Sequence, residues 1–383
     1  MTMYDRAVLH LDLDSFFASV ECLKNSELAG KPLIIGGKSN RGVVASCSYE
    51  ARRYGVHSAM PVKMALQLCP DAIVLRGDMD SYSKYSNLVT EVIAEDAPVY
   101  EKASIDEFYL DLSGMDKYFG CFSWSKELRQ RIMKETGLPI SFGLSVNKLI
   151  SKIGTGEAKP NGTKAVERGV EKAFISPLPV KKIPGVGKKT YKKLSFMGVR
   201  SIKVLSEVPI NLLEREFGKS GRHLWEKANA IDNTPVVPYS EAKSISKERT
   251  FHEDSLDLRM IRNLIIDMCD KLSFQLRSSQ KLTSCITVKI RYADFNTFTR
   301  QKRISYTSND NKLSAYGLEL FDKLYERRQL IRLVGVKFSG LVHGNYQISL
   351  FDDQVEHIRL MQQMDHIRKR FGQDAIGRAS ACI

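Results

Sequence analysis

Ala103-Ser104-Ile105-Asp106-Glu107-Phe108-Tyr109-Leu110-Asp111-Leu112 is a strand-like apolar run broken by two adjacent acids. A strand interior does not carry two carboxylates without compensation, because each costs free energy to desolvate. A second acid-bearing strand is legible near the N-terminus: Ala7-Val8-Leu9-His10-Leu11-Asp12-Leu13-Asp14. Strand side chains alternate, so Leu9, Leu11 and Leu13 take one face and His10, Asp12 and Asp14 the other. If the two strands are neighbours, Asp12, Asp106 and Glu107 converge. Three carboxylates in one place repel unless cations neutralise them. An all-oxygen set of this kind suits magnesium, with water and substrate phosphates as the remaining ligands. The pattern predicts a two-metal site for chemistry at phosphorus.

The whole chain agrees with a polyanionic partner. It has 383 residues, 43% of them hydrophobic, enough for two or more domains. Lys and Arg number 58 against 44 acids, a formal charge of +14, which favours nucleic acid. The seven cysteines form no C-x-x-C pair, which argues against a disulfide scaffold or zinc site and fits a reducing cytoplasm. No apolar run is long enough to span a membrane, and no signal-like segment precedes the first strand. A cytoplasmic protein is expected.

Outward from the two acidic strands, Ser15-Phe16-Phe17 opens a helix, with Asp14 or Ser15 as its cap. Phe17 lies one turn beyond the candidate ligand Asp12, close enough to belong to the site. Residues 31–37 and 42–48 read as strands, and 49–55 as a short helix on which Tyr49 and Arg52 share a face. A phenol beside a guanidinium can clamp phosphate. Helices are expected at 60–69, 80–94, 123–136 and 147–158, with strands at 99–104, 107–112 and 139–146. Lys159-Pro160-Asn161-Gly162 is a sharp turn whose lysine can reach a triphosphate.

The stretch 178–225 turns short, helical and basic. Within it Ile183-Pro184-Gly185-Val186-Gly187-Lys188 reads as a helix-hairpin-helix turn, where Gly185, Gly187 and Lys188 can hold a DNA phosphate. Phe217-Gly218-Lys219-Ser220-Gly221-Arg222 is a weaker second copy. After a polar linker come helices at 256–276 and 311–326 and strands at 283–292, 298–306 and 331–339. Lys289 and Arg291 on one strand and Arg300 and Lys302 on the next are expected to make one sheet face positive; Arg332 is a further candidate DNA contact. The chain closes with Gln347-Ile348-Ser349-Leu350-Phe351, an apolar and amide anchor, and a helical tail at 354–371.

Several of these motifs, taken in order, resemble the Y-family DNA polymerases of the bacterial DNA polymerase IV type. They are Asp12-Leu13-Asp14-Ser15-Phe16-Phe17, Tyr49-Glu50-Ala51-Arg52, Ser104-Ile105-Asp106-Glu107, Gly143-Leu144-Ser145-Val146-Asn147-Lys148, Lys159-Pro160-Asn161-Gly162 and Ile183-Pro184-Gly185-Val186-Gly187. The resemblance runs from about residue 4 to 351. It implies an α+β right hand: palm at 1–20 and 78–166, fingers at 21–77, thumb at 167–233, linker at 234–243, little finger at 244–343, and a clamp-binding peptide and helical tail at 344–383. It further implies that Asp12, Asp106, Glu107 and the Leu13 carbonyl bind two magnesium ions, for which manganese can substitute. By the same resemblance Phe17 is a steric gate against the ribose 2′-hydroxyl, and Tyr49, Arg52 and Lys159 hold the incoming dNTP. Gln347, Leu350 and Phe351 match a sliding-clamp peptide. The implied activity is error-prone translesion synthesis on primer-template DNA by a monomer, with no stretch left over for a proofreading exonuclease. A two-metal nuclease shares the carboxylates but has no use for a gate or a triphosphate clamp; a non-catalytic DNA-binding scaffold would have no use for the carboxylates.

Overall fold

The computed structural model describes residues 6–37, 39, 41–115, 120–238, 240–326, 328–344 and 355–377. The chain divides into two compact units, Met1–Ser240 and Glu241–Ile383. In the first, a five-stranded sheet runs in the order β5 (Tyr100–Lys102), β6 (Glu107–Asp111), β1 (Val8–Leu13), β7 (Ile140–Ser145), β8 (Thr163–Ala165). Central β1 is antiparallel to both β6 and β7, and the register sets Asp12 opposite Glu107.

The two faces of β1 meet different partners. Leu9, Leu11 and Leu13 are almost fully buried in a core shared with α1 (Phe16–Lys24), α4 (Met79–Asp96) and α5 (Cys121–Thr136). Each such leucine contributes about 1.5–3 kcal/mol by burial. The opposite face carries His10 and is covered by α6 (Lys148–Ala158), with His10 Nδ1 2.8 Å from Thr155 Oγ1. Gly143 makes that close approach possible. A Cβ there would meet the Ser151 carbonyl oxygen at 2.1 Å.

Ser15 stands at the N-cap of α1, yet its backbone is left-handed (φ 45°) and its side chain makes no capping bond. The sequence expectation of an Asp14 or Ser15 side-chain cap is therefore corrected. The tight turn brings Phe16 and Phe17 directly after the strand, and Asp14 is committed elsewhere.

A smaller sheet, β3 (Val44–Cys47), β2 (Leu33–Gly36), β4 (Ile73–Leu75), has its own core with α2 (Tyr49–Arg53) and α3 (Val62–Leu68) around Ile34, Cys47, Ala51 and Val62. A third, helical core contains α7 (Glu171–Ile175), α8 (Lys188–Phe196), α9 (Ile202–Glu207), α10 (Ile210–Phe217) and α11 (Lys219–Ala228). The 183–187 turn is preceded by a 3-10 turn, Val180–Lys182, rather than a full helix. Gly185 takes φ 95°, open to glycine and strained for other residues, and Lys227 Nζ donates to the Pro184 carbonyl at 2.8 Å. The second copy is more regular: α10 and α11 meet directly at Gly218.

The stretch read as a linker is docked on the first unit along part of its length. Val237 N donates to Glu101 at 2.7 Å and Lys148 Nζ to the Pro235 carbonyl at 3.3 Å. Just before it, Asp232 accepts from Leu149 N at 2.9 Å.

The second unit is a four-stranded antiparallel sheet in the order β11 (Thr297–Thr307), β10 (Lys281–Tyr292), β12 (Ile331–His343), β9 (Ser244–Ser255), with α12 (Leu258–Ser278) and α13 (Asp310–Leu324) on one face. Strand β9 was not expected. It is an edge strand whose residues are mostly polar and solvent-facing, so it shows no apolar alternation. The register also corrects the basic face. Lys289 and Arg291 lie on the open face with Arg303 and Lys337. Arg300 pairs with Val288 and Lys302 with Ile286, so both lie on the helix-covered face. There Arg300 donates to the Lys323 carbonyl at 2.9 Å and Lys302 to Glu319 at 2.6 Å. Arg332 lies over the Phe295 ring at 4.4 Å and 4.0 Å from Asp254.

The tail forms α14 (Val355–Phe371), joined to α12 by two ion pairs, with Met361 buried. Arg368 meets Asp270 at 2.5 Å with both side chains buried, and Arg277 grips Asp365 at 2.6 and 2.8 Å. Gln347, Leu350 and Phe351 lie outside the described residues. No helix among the described residues is long and apolar enough to cross a membrane.

Candidate active site

The pairing of β1 with β6 carries Asp12 and Glu107 to one end of the large sheet, and Leu13 N donates to the Asp106 carbonyl at 3.0 Å. The three predicted carboxylates are thus neighbours, but each is turned to a different donor. Lys159 Nζ bonds Asp12 and lies 3.5 Å from both the Leu13 carbonyl and Asp14 Oδ1. Lys152 Nζ meets Glu107 Oε2 at 2.5 Å. Ser104 Oγ donates to Asp106 Oδ1 at 2.6 Å. As the side chains stand, no three Asp, Glu, His or Cys groups among the described residues share one metal-holding point.

The charges still fit divalent cations. Burial, opposed by Lys159 and aided by Glu107 and Asp106, raises the Asp12 carboxyl to about 6. The acids are therefore close enough to repel one another. The Lys159 ammonium occupies the place of a cation, among the oxygens of Asp12 and Leu13. A hard cation would meet the same oxygen donors.

A pocket of about 330 Å³ opens over these groups, lined by Asp12, Leu13, Phe17, Arg52, Asp106 and Lys159. Phe17 stacks flat on Tyr82 (centroids 4.2 Å apart, planes at 10°), and the Tyr82 hydroxyl is fixed by a 2.7 Å bond to Glu21. Arg52 lies over the Tyr49 ring at 4.8 Å, and its Nε donates to the Cys47 carbonyl at 3.3 Å. Tyr49 itself donates to Asp14 at 3.1 Å. Burial, then the negative charge of Asp14, raises its phenol pKa, so it remains protonated. A groove of about 360 Å³ runs from Asp12 past Lys152 to Pro184, Gly185 and Val186, joining the carboxylates to the glycine turn.

Sequence reading missed three participants. Lys152 falls inside the helix expected at 147–158, where no local motif marks it. Tyr82, the support of Phe17, is far off in the chain. Asp14 was placed on the polar face of the first strand and as a helix cap, with no role in the site. His10 is buried behind the site with its Nε2 4.0 Å from Glu107; burial, then Lys152, holds its imidazole well below the usual range, hence neutral.

Residues 11–156 match the impB/mucB/samB family, 242–350 match that family's C-terminal domain, and 181–232 match the DNA polymerase-iota thumb domain. The chain is 36% identical to a protein named DNA polymerase IV of Dehalococcoides mccartyi, over 96% of this chain and 95% of that one. The chain belongs to the Y-family DNA polymerases. A DNA polymerase IV of Listeria monocytogenes is 38% identical over 88% of this chain and 95% of its own length. Among solved structures, a Y-family DNA polymerase chimera superposes with a TM-score of 0.78 at 26% identity, covering 88% of this chain and 100% of that one. DinB from Sulfolobus solfataricus, also 26% identical with the same coverage, gives 0.62. In this Y-family chain the three matched regions include the carboxylate strands, the glycine turn and the C-terminal sheet.

Proposed function

We propose that this chain is a template-directed DNA polymerase of the error-prone translesion type, adding dNTPs to a primer 3′-hydroxyl by nucleotidyl transfer. The observation that carries the reading is one pocket lined by Asp12, Asp106, Phe17, Arg52 and Lys159. It combines acids for metal, an aromatic wall and cations for phosphate. Asp12, Asp106, Glu107 and the Leu13 carbonyl would hold two magnesium ions, or manganese. Bound there, the ions supply an activated 3′-oxygen and charge neutralisation for pyrophosphate.

The chain's own groups do the rest. Lys159 exchanges its carboxylate partner for phosphate oxygens. Arg52 and Tyr49 meet the same triphosphate, stabilising the charge that develops there. Phe17, backed by Tyr82, fills the space a 2′-hydroxyl would need. Gly185, Gly187 and Lys188 hold duplex phosphates without reading sequence, and Lys289 and Arg291 add a second backbone contact. Gln347, Leu350 and Phe351 dock a sliding clamp, which raises the local concentration at the primer end; their sequence pattern alone supports this. The protein acts as a cytoplasmic monomer on this reading.

Incubation with primer-template, dNTPs and magnesium tests the proposal. Templated extension of the primer is expected. Shortening of the primer would replace the polymerase reading with a nuclease.

A further inference from the structure

Asp14 lies two residues beyond Asp12, is 2% exposed, and has no place in the chemistry described above. A buried carboxylate persists only when its oxygens are satisfied. Asp14 meets that condition with donors from three separate elements. Its Oδ1 accepts from the Tyr49 hydroxyl of α2 at 3.1 Å, with Lys159 Nζ 3.5 Å away. Its Oδ2 accepts from Ser141 Oγ of β7 at 2.7 Å and from Asn161 N at 2.7 Å. Ser141 Oγ in turn accepts from Gly162 N at 3.1 Å, and Arg129 grips the same turn from behind, donating to the Ile140 carbonyl at 2.8 Å and the Asn161 carbonyl at 2.9 Å.

Two of the three groups assigned to the triphosphate, Tyr49 and Lys159, thus converge on one acid. Nothing else among the described contacts ties the start of α2 and the 159–162 turn to the end of β1 through a single group. We propose that Asp14 is a positioning residue for the incoming nucleotide. It fixes Tyr49 and the Lys159 turn at the distance from Asp12 that the triphosphate requires. This rests on the polymerase reading and deepens it: Asp14 governs nucleotide affinity and leaves DNA affinity alone.

Asp14→Asn is the nearest change in shape. The Asn161 amide can only donate, so the new carboxamide oxygen must face it. The amide NH2 is then directed at Tyr49 and Lys159. Tyr49 loses its acceptor, and the lysine loses a counter-charge. The expected result in steady-state single-nucleotide insertion is a KM for dNTP raised about tenfold, the size of one charge-assisted hydrogen bond. The Kd for primer-template should stay within about twofold, since no duplex contact changes. In a double-mutant cycle, Tyr49→Phe also raises KM, and adding Asp14→Asn to it has less than the multiplicative effect, because both act through one bond. Ser141→Ala leaves the charge in place and should raise KM by a smaller factor; it decides the matter if Asp14→Asn fails to fold. An unchanged KM in the folded variants, or fully multiplicative effects, would overturn the proposal. Absence of nucleotide insertion by the unaltered chain would instead defeat the polymerase reading itself.

Discussion

Phe17 shows what a single residue can be asked to do. Its ring is held flat against Tyr82, and Tyr82 is in turn anchored on Glu21, so this wall of the pocket is braced from behind. Phe17→Ala opens that wall, and ribonucleotide insertion relative to deoxyribonucleotide insertion should rise by at least about tenfold, the scale of discrimination built on steric contact. A gel assay with single rNTPs reads it directly; an unchanged ratio would assign the wall to another residue. The carboxylates and the residues proposed as gate and phosphate-side cations could be named from sequence because each falls within a short motif. Asp14 and Tyr82 were not. The bonding partners of the Asp14 carboxylate lie 35 to 147 residues away, and no local pattern announces them.

At the scale of elements, register decides which charges can meet DNA. Alternation along a strand was visible in the sequence, but the pairing of β10 with β11 was not, and a shift of one residue exchanges faces. Lys289→Ala and Arg291→Ala should each weaken primer-template binding across all sequences and reduce the salt dependence by about one phosphate contact. Arg300 caps the last turn of α13 instead. Arg300→Ala should therefore lower stability by about 0.5–1.5 kcal/mol in thermal or urea unfolding, with the DNA salt slope unchanged. The reverse pattern would put Arg300 back on the DNA face. Strand β9 escaped sequence reading for a related reason: an edge strand buries little, and of its twelve residues only Phe251 is buried. Helix α14 was legible as a helix, but its docking was not, because Arg368 and Asp270 look like ordinary surface charges until they are buried together. Arg368→Ala strands Asp270 and should cost about 3–5 kcal/mol in urea unfolding of the full chain. A loss near zero would mean that the tail is not part of the second unit.

For the whole molecule, the order of motifs along the chain carried more than any one of them. The carboxylate strands, the short Tyr49 helix, the Lys159 turn and the glycine turn are dispersed over the first unit's sequence. Folding gathers the first three around one pocket and joins the fourth to it by a groove. The proposed clamp contact is tested at this scale. Replacing Leu350 and Phe351 with Ala should abolish stimulation by a sliding clamp while basal extension persists; equal loss of both would make these residues part of the fold. On the proposed reading Asp12, Asp106 and Glu107 form the metal-dependent centre of a polymerase. The decisive experiment is single-nucleotide primer extension in magnesium, comparing the unaltered chain with Asp106→Ala. The unaltered chain should add the templated nucleotide, and the variant should bind primer-template normally yet extend it at least about a thousandfold more slowly. Equal extension by both would contradict the assignment of the centre, and extension by neither would contradict the polymerase.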